Sequence, residues 1–299
     1  MESSNRLSDA ALSHPGAALG PLDILPSAGM PSFDRFTLYQ KSVQDPDSEI
    51  IFLEKTYQEL RHCSPLVLRE DFCGTGYLAT EWSKSAPEHY SVGVDLCAAT
   101  LQWGQQNNVA VAGEAVAQRV DLVCSNVLEY YNPERLADII CAFNFSYNIL
   151  KSQQDLLDYF TNAHRGLNDR GLLVIDIFGG TASYDTAEEE REIEDTEFSY
   201  IWEQERFNPI THEMLCHIHF KHNDGTQMKK AFSYEWRLRT IPELVDSLKS
   251  AGFSKVRCYW EEFVESKDDA EYLEETGNYY ETSEVENQES WISYLVAEK

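Results

Sequence analysis

Two short segments constrain this chain more than any others: LVLREDFCGTG at 66–76 and VGVDL at 92–96. In each, an apolar run ends on an acid. The first then turns through Gly74 and Gly76, and the second stops at Asp95, 25 residues after Glu70. Two parallel strands joined through a helix bring such ends together at one edge of a sheet. Glycines in the first turn let the backbone approach a ligand closely. A carboxylate after the second strand can accept hydrogen bonds from a pair of hydroxyls, as on a ribose. A strand–turn–helix unit without a ligand is the competing reading, and the placement of Asp95 weighs against it.

The flanking sequence continues the alternation. A helix is expected over 45–62, with Asp45 as cap, Pro46 in its first turn, and Ile50, Leu53, Tyr57 and Leu60 on one face. Strands are expected at 66–69, 91–95, 120–125, 139–144 and 172–178, with helices at 77–84, 98–107 and 153–167. Ser152 and Asp155 suggest a capping box for the last of these. This order implies a parallel sheet covered by helices on both faces.

Beyond residue 180 the period changes. The stretch 185–197 carries eight acids and one Arg and reads as a solvated loop or helix. Three alternating segments follow, at 198–207, 213–221 and 228–238, with turns at Asn208-Pro209 and Asp224-Gly225. They predict a three-stranded antiparallel meander whose apolar face must cover a sheet edge or a ligand. Thr240 to Glu243 has the form of a capping box that opens a helix running to about residue 251. Strands close the chain at 256–260 and 291–297, and the acid-rich stretch 261–289 between them reads as an exposed loop. The expected organisation is a flexible arm over 1–32 and one domain over 33–299, with residues 181–239 as an acidic loop plus a lid.

The chain has 299 residues and a formal net charge of −27. That field repels nucleic acid and favours a cationic ligand or simply solubility. No apolar run reaches the ~20 residues of a membrane span, and the N-terminus lacks a secretory pattern. The seven cysteines include no C-x-x-C pair, which fits reduced thiols in a cytoplasmic protein.

Residues 66–76, 92–96 and 120–127, with the later strands, resemble the class I S-adenosylmethionine-dependent methyltransferases. The resemblance implies an α/β, Rossmann-like sheet, mostly parallel with an antiparallel last strand, and here with the inserted meander. It implies S-adenosylmethionine as cofactor, methyl transfer by in-line displacement, and a small-molecule acceptor reacting through N, O or S. Glu70, or alternatively Asp71, would then face the cofactor ammonium, with Gly74 and Gly76 cradling its methionine part. Asp95 would bind the ribose diol and Leu96 the adenine edge. Asn126 and Val127 fall where the family contacts adenine, and Tyr39 in a segment that folds over the cofactor. Two positions depart from the family pattern: Phe72 stands for the first glycine, and Asn126 for an acid.

Asn144 and Tyr147, after the fourth strand, are the catalytic candidates that the resemblance suggests, and Asn144 is also a candidate contact to the cofactor. Tyr147 is also a candidate substrate contact, as are Tyr234, Trp236 and Arg237 in the meander. The placement of that insert resembles the glycine and amino-sugar N-methyltransferases, although most of its rings also read as ordinary sheet core. His212, His217, His219 and His222 suggest a metal, but no acid or Cys at ligand spacing completes the set, so none is expected. Two other readings stand beside methyl transfer. One is a non-catalytic scaffold for a basic protein partner. The other is a nicotinamide-dependent oxidoreductase, against which the incomplete G-x-G-x-x-G turn speaks. Neither nucleic acid nor a membrane is an expected partner, and the oligomeric state stays open.

Overall fold

The computed structural model describes residues 34–265 and 273–299. The expected arm over 1–32 lies outside the described residues. Helix α1 (Arg35–Val43) is capped by Asp34, whose carboxylate accepts from the Phe36 and Thr37 amides. Helix α2 (Pro46–Arg61) starts on Asp45 and Pro46 and buries Ile50, Leu53 and Tyr57, as the periodicity predicts. The alternation then runs β1 (Val67–Asp71), α3 (Tyr77–Ser85), β2 (Tyr90–Asp95), α4 (Ala98–Gly104), α5 (Glu114–Ala117), β3 (Val120–Cys124), β4 (Ala137–Ala142), α6 (Gln153–Gly166) and β5 (Leu167–Gly179).

Strands β1 to β5 pair in parallel in the order β5-β4-β1-β2-β3. Strands β10 (Lys255–Glu265), β11 (Leu273–Glu281) and β12 (Trp291–Glu298) complete an eight-stranded sheet, with β12 antiparallel to β5. One face of the sheet packs on α6 and α7 (Ile241–Ser250) through Leu156, Phe160, Leu244 and Leu248. The other packs on α2 and α3 through Leu53, Tyr57, Leu78 and Trp82. All eight side chains are at most 2% exposed, so each contributes roughly 1.5–3 kcal/mol of burial. At the start of α7, Thr240 and Glu243 close the capping box from both sides. Ser152 caps α6 by accepting from the Asp155 amide.

The second sheet is four-stranded, not three-stranded. Strands β7 (Phe198–Phe207), β8 (Glu213–His222) and β9 (Gln227–Arg237) form the expected meander, and β6 (Ala187–Glu192) adds an edge. Strand β6 falls in the segment expected to be a loop or helix. Its sequence AEEERE has no apolar alternation to announce a strand, because it is an exposed edge held by backbone pairing to β7 and by the Lys221–Glu190 ion pair. Acids along an edge also discourage pairing with another chain. The expected loop at 261–289 is likewise partly wrong: β10 continues to Glu265 and pairs with β11. Strand β5 starts at Leu167 beside Ala137 and bulges before Leu172, five residues earlier than expected. All seven cysteines are free thiols. Among the described residues, no helix is long and apolar enough to cross a membrane.

Helix α1 docks on the lid. Leu38 packs with Phe198, Ile218, Phe220 and Phe232, while Phe36 and Tyr39 flank the same cluster. Gln40 ties the other side of α1 to the main sheet, donating to Thr75 Oγ1 at 2.9 Å and to Asn108 Oδ1 at 3.2 Å. The helix thus bridges the glycine turn and the meander, and the space between them is the cavity described next.

Candidate active site

A cavity of about 380 Å³ opens at the carboxyl ends of β1, β2 and β4, beneath β9. That size suits a small organic ligand, and the edge is where open parallel sheets hold theirs. Glu70, Gly74, Asp95, Leu96, Asn144, Tyr39, Tyr234 and Trp236 all line it.

The turn after β1 has the conformation its glycines permit. Phe72, Gly74 and Gly76 all have positive φ, at 58°, 55° and 62°. Phe72 therefore adopts the backbone of the glycine it replaces, at a strain of about 1 kcal/mol, and its ring packs edge-on to Tyr159. A side chain added at Gly74 would meet nothing within 4 Å, so the main chain there borders open space. A Cβ at Gly76 would strike Leu122 at 2.5 Å. Gly76 thus serves close packing and does not line the cavity.

Asp95 locks this turn to the second strand. Its Oδ2 accepts from the Gly74 amide at 2.9 Å and its Oδ1 from the Cys97 amide at 2.7 Å. Each oxygen keeps a further lone pair for a ligand. Burial raises its carboxyl above the usual range, against these hydrogen bonds. Glu70 accepts from the Ala79 amide in the first turn of α3. Burial, then the neighbouring charges of Asp95 and Asp71, push the Glu70 carboxyl up to about 8 despite that bond. Asp71 pairs with buried Arg69 at 2.7 Å and accepts from Tyr159. Leu96 is 59% exposed, an apolar side chain at the cavity edge with little covering it.

After β4 the chain makes an unusual turn. Asn144 and Phe145 both have positive φ, and their amides point at one carboxylate: Asp176 Oδ2 accepts from Asn144 at 2.6 Å and Oδ1 from Phe145 at 2.9 Å. Burial, opposed by these bonds, raises Asp176 to about 7. Asp176 lies inside an apolar β5 run, LLVIDIF, and was not anticipated as part of the site; a carboxylate in the middle of a fully buried strand is the signal that could have found it. On the lid, Tyr234 stacks on Trp236 at 4.7 Å, and Tyr39 packs on Phe232 at 5.0 Å. Burial holds the hydroxyls of both Tyr39 and Tyr234 well above their ordinary range.

Besides Gly76, four candidates stand apart from the cavity. Tyr147 is fully buried, and its hydroxyl donates to the Asp176 carbonyl, so it braces the turn from behind. Asn126 accepts from the Leu128 amide as a strand-end cap. Val127 packs into the core beneath α6. Arg237 donates to the Lys151 carbonyl and approaches Glu243. The alternation and the strand-end positions could not distinguish these inward or lateral directions from the cavity.

The histidines also need correction. Glu203 and Glu205 on β7 do complete a set with His217 on β8, their ligand atoms lying within 4.8 Å of one another. Those atoms are already engaged. His217 pairs with Glu205 and Ser233, His219 with Glu203, and Lys230 with Glu205. The arrangement is a network of hydrogen bonds and ion pairs across β7, β8 and β9.

Residues 71–175, which hold the glycine turn, Asp95 and the Asn144 turn, match the family model for the methyltransferase domain. This stretch of the chain is similar to that domain. No curated protein sequence matches the chain. Solved structures do. An S-adenosylmethionine-dependent methyltransferase from Clostridium acetobutylicum superposes with a TM-score of 0.60 at 17% identity, over 88% of this chain and 96% of that one. A sugar N-methyltransferase from Streptoalloteichus gives 0.59 at 15% identity, over 99% of both chains. An amino pentose methyltransferase from Micromonospora echinaspora, solved with S-adenosylmethionine bound, gives 0.59 at 13% identity, over 90% and 98%. At such identities the likeness is one of fold. It spans the lid as well as residues 71–175.

Proposed function

We propose that this protein transfers a methyl group from S-adenosylmethionine to a small-molecule acceptor bound under the lid. The observation that carries the reading is the Gly74–Asp95 unit. A main chain bordering open space is fixed by a carboxylate that keeps lone pairs free toward the cavity. Two vicinal hydroxyls of a ribose suit those lone pairs. The exposed Leu96 offers an apolar surface beside them for a purine. Glu70 and its acidic neighbours suit the ammonium of the methionine part. The residues present therefore fit the cofactor, which would supply an already activated methyl group.

The protein's own contribution is placement and exclusion of water. The Asp176 carboxylate fixes the Asn144–Phe145 turn, and so the height of the cavity floor. Helix α1 and β9 close the opposite side with Tyr39, Tyr234 and Trp236. No ionised base is required for an acceptor that presents a free lone pair. The acidic lining also suits a reaction in which positive charge moves between two atoms inside the cavity.

Differential thermal stabilisation tests the reading. S-adenosylhomocysteine at one hundred times its dissociation constant should stabilise the fold by about 2.7 kcal/mol, while NAD should leave the melting temperature unchanged. Stabilisation by NAD alone, or by neither, would overturn the assignment.

A further inference from the structure

Strand β9 is an edge strand of the lid sheet. The consecutive residues Phe232 to Trp236 all line the cavity. Neighbouring residues of a strand point to opposite faces, so what borders the cavity is the edge of β9 and not one of its faces. The register shows which main-chain groups that edge carries. The Leu238 amide donates to the His212 carbonyl, and the pairs Trp236–Met214, Tyr234–Cys216 and Phe232–Ile218 follow in the same register. Hydrogen-bonded pairs alternate along an antiparallel ladder, so over this stretch the even-numbered residues of β9 bond to β8. Ser233 and Glu235 therefore turn their amides and carbonyls away from β8. Ala231, the preceding outward residue, agrees with that direction, because its carbonyl accepts from Arg35 of α1 at 3.3 Å. Among the described residues, none of the amides and carbonyls of Ser233 and Glu235 has a partner on that side.

The side chains beside this edge are already engaged. Ser233 Oγ bonds to His217 Nδ1, Glu235 pairs with Lys151 at 2.8 Å, and Tyr234 stacks on Trp236. What the edge still offers is an N–H and a C=O at each of two outward residues, spaced roughly 7 Å apart along the strand. An unpaired edge is a template for an extended chain, which presents the same alternation of donors and acceptors in return. A lone ring or a single polar group matches only part of it.

We propose that the methyl acceptor is peptide-like, an extended segment of about three amide-linked residues that adds a strand to β9 and exchanges hydrogen bonds with Ser233 and Glu235. The proposal rests on the methyl-transfer reading above. The reacting atom belongs to the side chain or terminus that this pairing carries into the cavity. Pairing at two outward residues fixes the register. A slip to the next equivalent register would move the reacting group by roughly 7 Å, too far for in-line transfer.

The test has two stages. Calorimetry first establishes whether S-adenosylhomocysteine binds the full chain; failure there sinks the methyl-transfer reading, and this proposal with it. With binding shown, S-adenosylhomocysteine release is assayed with tetraalanine and its variants carrying one lysine, histidine, cysteine or glutamate. Each is set against the matching fragment (ethylamine, butylamine, methylimidazole, methanethiol, propionate). At least one peptide should exceed its fragment in kcat/KM by about tenfold or more. No peptide ahead of its fragment, or no peptide turned over, overturns the proposal and leaves the cofactor reading intact. In the active peptide, exchanging single amide N–H groups for ester oxygens should lower kcat/KM about threefold to tenfold at alternate positions only, because only alternate groups face the edge. Equal losses at every position, or none, overturn the pairing. Glu235→Pro removes one outward amide where an edge strand tolerates proline, and Glu235→Ala keeps it. The proline variant should lose a further threefold to tenfold in kcat/KM for the peptide relative to the alanine variant, with equal S-adenosylhomocysteine affinity in the two. Equal peptide activity, or a fall in cofactor affinity confined to the proline variant, would take the edge away from the acceptor. If the proline variant fails to fold, the ester series decides.

Discussion

The two walls of the cavity are assembled differently. On the sheet side, Gly74, Asp95 and Cys97 hold one another through backbone amides within a short stretch of chain. On the lid side, Tyr39 comes from α1 and packs on Phe232 from β9, far away in sequence, with Tyr234 against the same cluster. The first wall is a product of backbone geometry. The second depends on tertiary docking, anchored by Gln40 on Thr75 and Asn108. A fixed backbone site suits a group that never varies, and a wall of packed side chains suits one that differs between relatives of the same fold.

The strongest test of this division is Asp95→Ala. It removes both the lock on Gly74 and the acceptor for two hydroxyls, each charge-assisted bond being worth about 1.5–3 kcal/mol. Affinity for S-adenosylhomocysteine measured by calorimetry should fall about 100-fold or more. A loss under tenfold would mean that the ribose is held elsewhere and the sheet wall is misassigned. Gly74→Ala comes next. Its backbone at φ 55° penalises a side chain by roughly 1–2 kcal/mol, and the methyl group would project into open space. About a tenfold loss of cofactor affinity is expected, with the acceptor KM unchanged.

The difference between the walls also explains what could be read from the sequence. The spacing of the glycine turn and Asp95 is local, so the parallel sheet and this half of the cavity were legible. The caps at Asp45, Ser152 and Thr240 were legible for the same reason. Helix α1 was not: RFTLYQKSV buries only Leu38, and the helix owes its place to the Asp34 cap and to docking on the lid. Strand β6 was hidden because an exposed edge has no apolar face to display. Asp176 was hidden inside an apolar strand, where its role becomes visible only once the Asn144 and Phe145 amides turn toward it. Tyr147 misled because its direction depends on the short 3₁₀ turn Ser146–Ile149, which buries it behind the site.

Charge offers a third way to separate the walls. Glu70 has a folded-state value near 8, above the ordinary 4.5. A raised carboxyl stabilises the fold fully below its unfolded value, and that contribution is lost as pH rises through about 8, where the folded form must also ionise. A cation bound beside Glu70 favours the ionised form. Cofactor affinity should therefore rise with pH by up to tenfold per unit toward pH 8 and then level off, because one proton is released on binding. Glu70→Gln should flatten this slope, as calorimetry between pH 6 and 9 would show. A slope unchanged in the variant would place the titrating group elsewhere, with Asp176, near 7, the next candidate.

The smallest expected effect bears on the place where the walls meet. The resemblance places Tyr39 with the cofactor, whereas its packing places it with the lid. Tyr39→Phe keeps the ring against Phe232 and removes only the hydroxyl. One neutral hydrogen bond is worth about 0.5–1.5 kcal/mol, so a change of roughly threefold to tenfold is expected in whichever parameter the hydroxyl serves. If the lid wall belongs to the acceptor, that parameter is the acceptor KM, and S-adenosylhomocysteine affinity stays at the wild-type value. If cofactor affinity falls and the acceptor KM does not, α1 belongs to the cofactor half. The boundary between the walls then runs along β9, and acceptor recognition falls to Tyr234, Trp236 and the Asn144 turn.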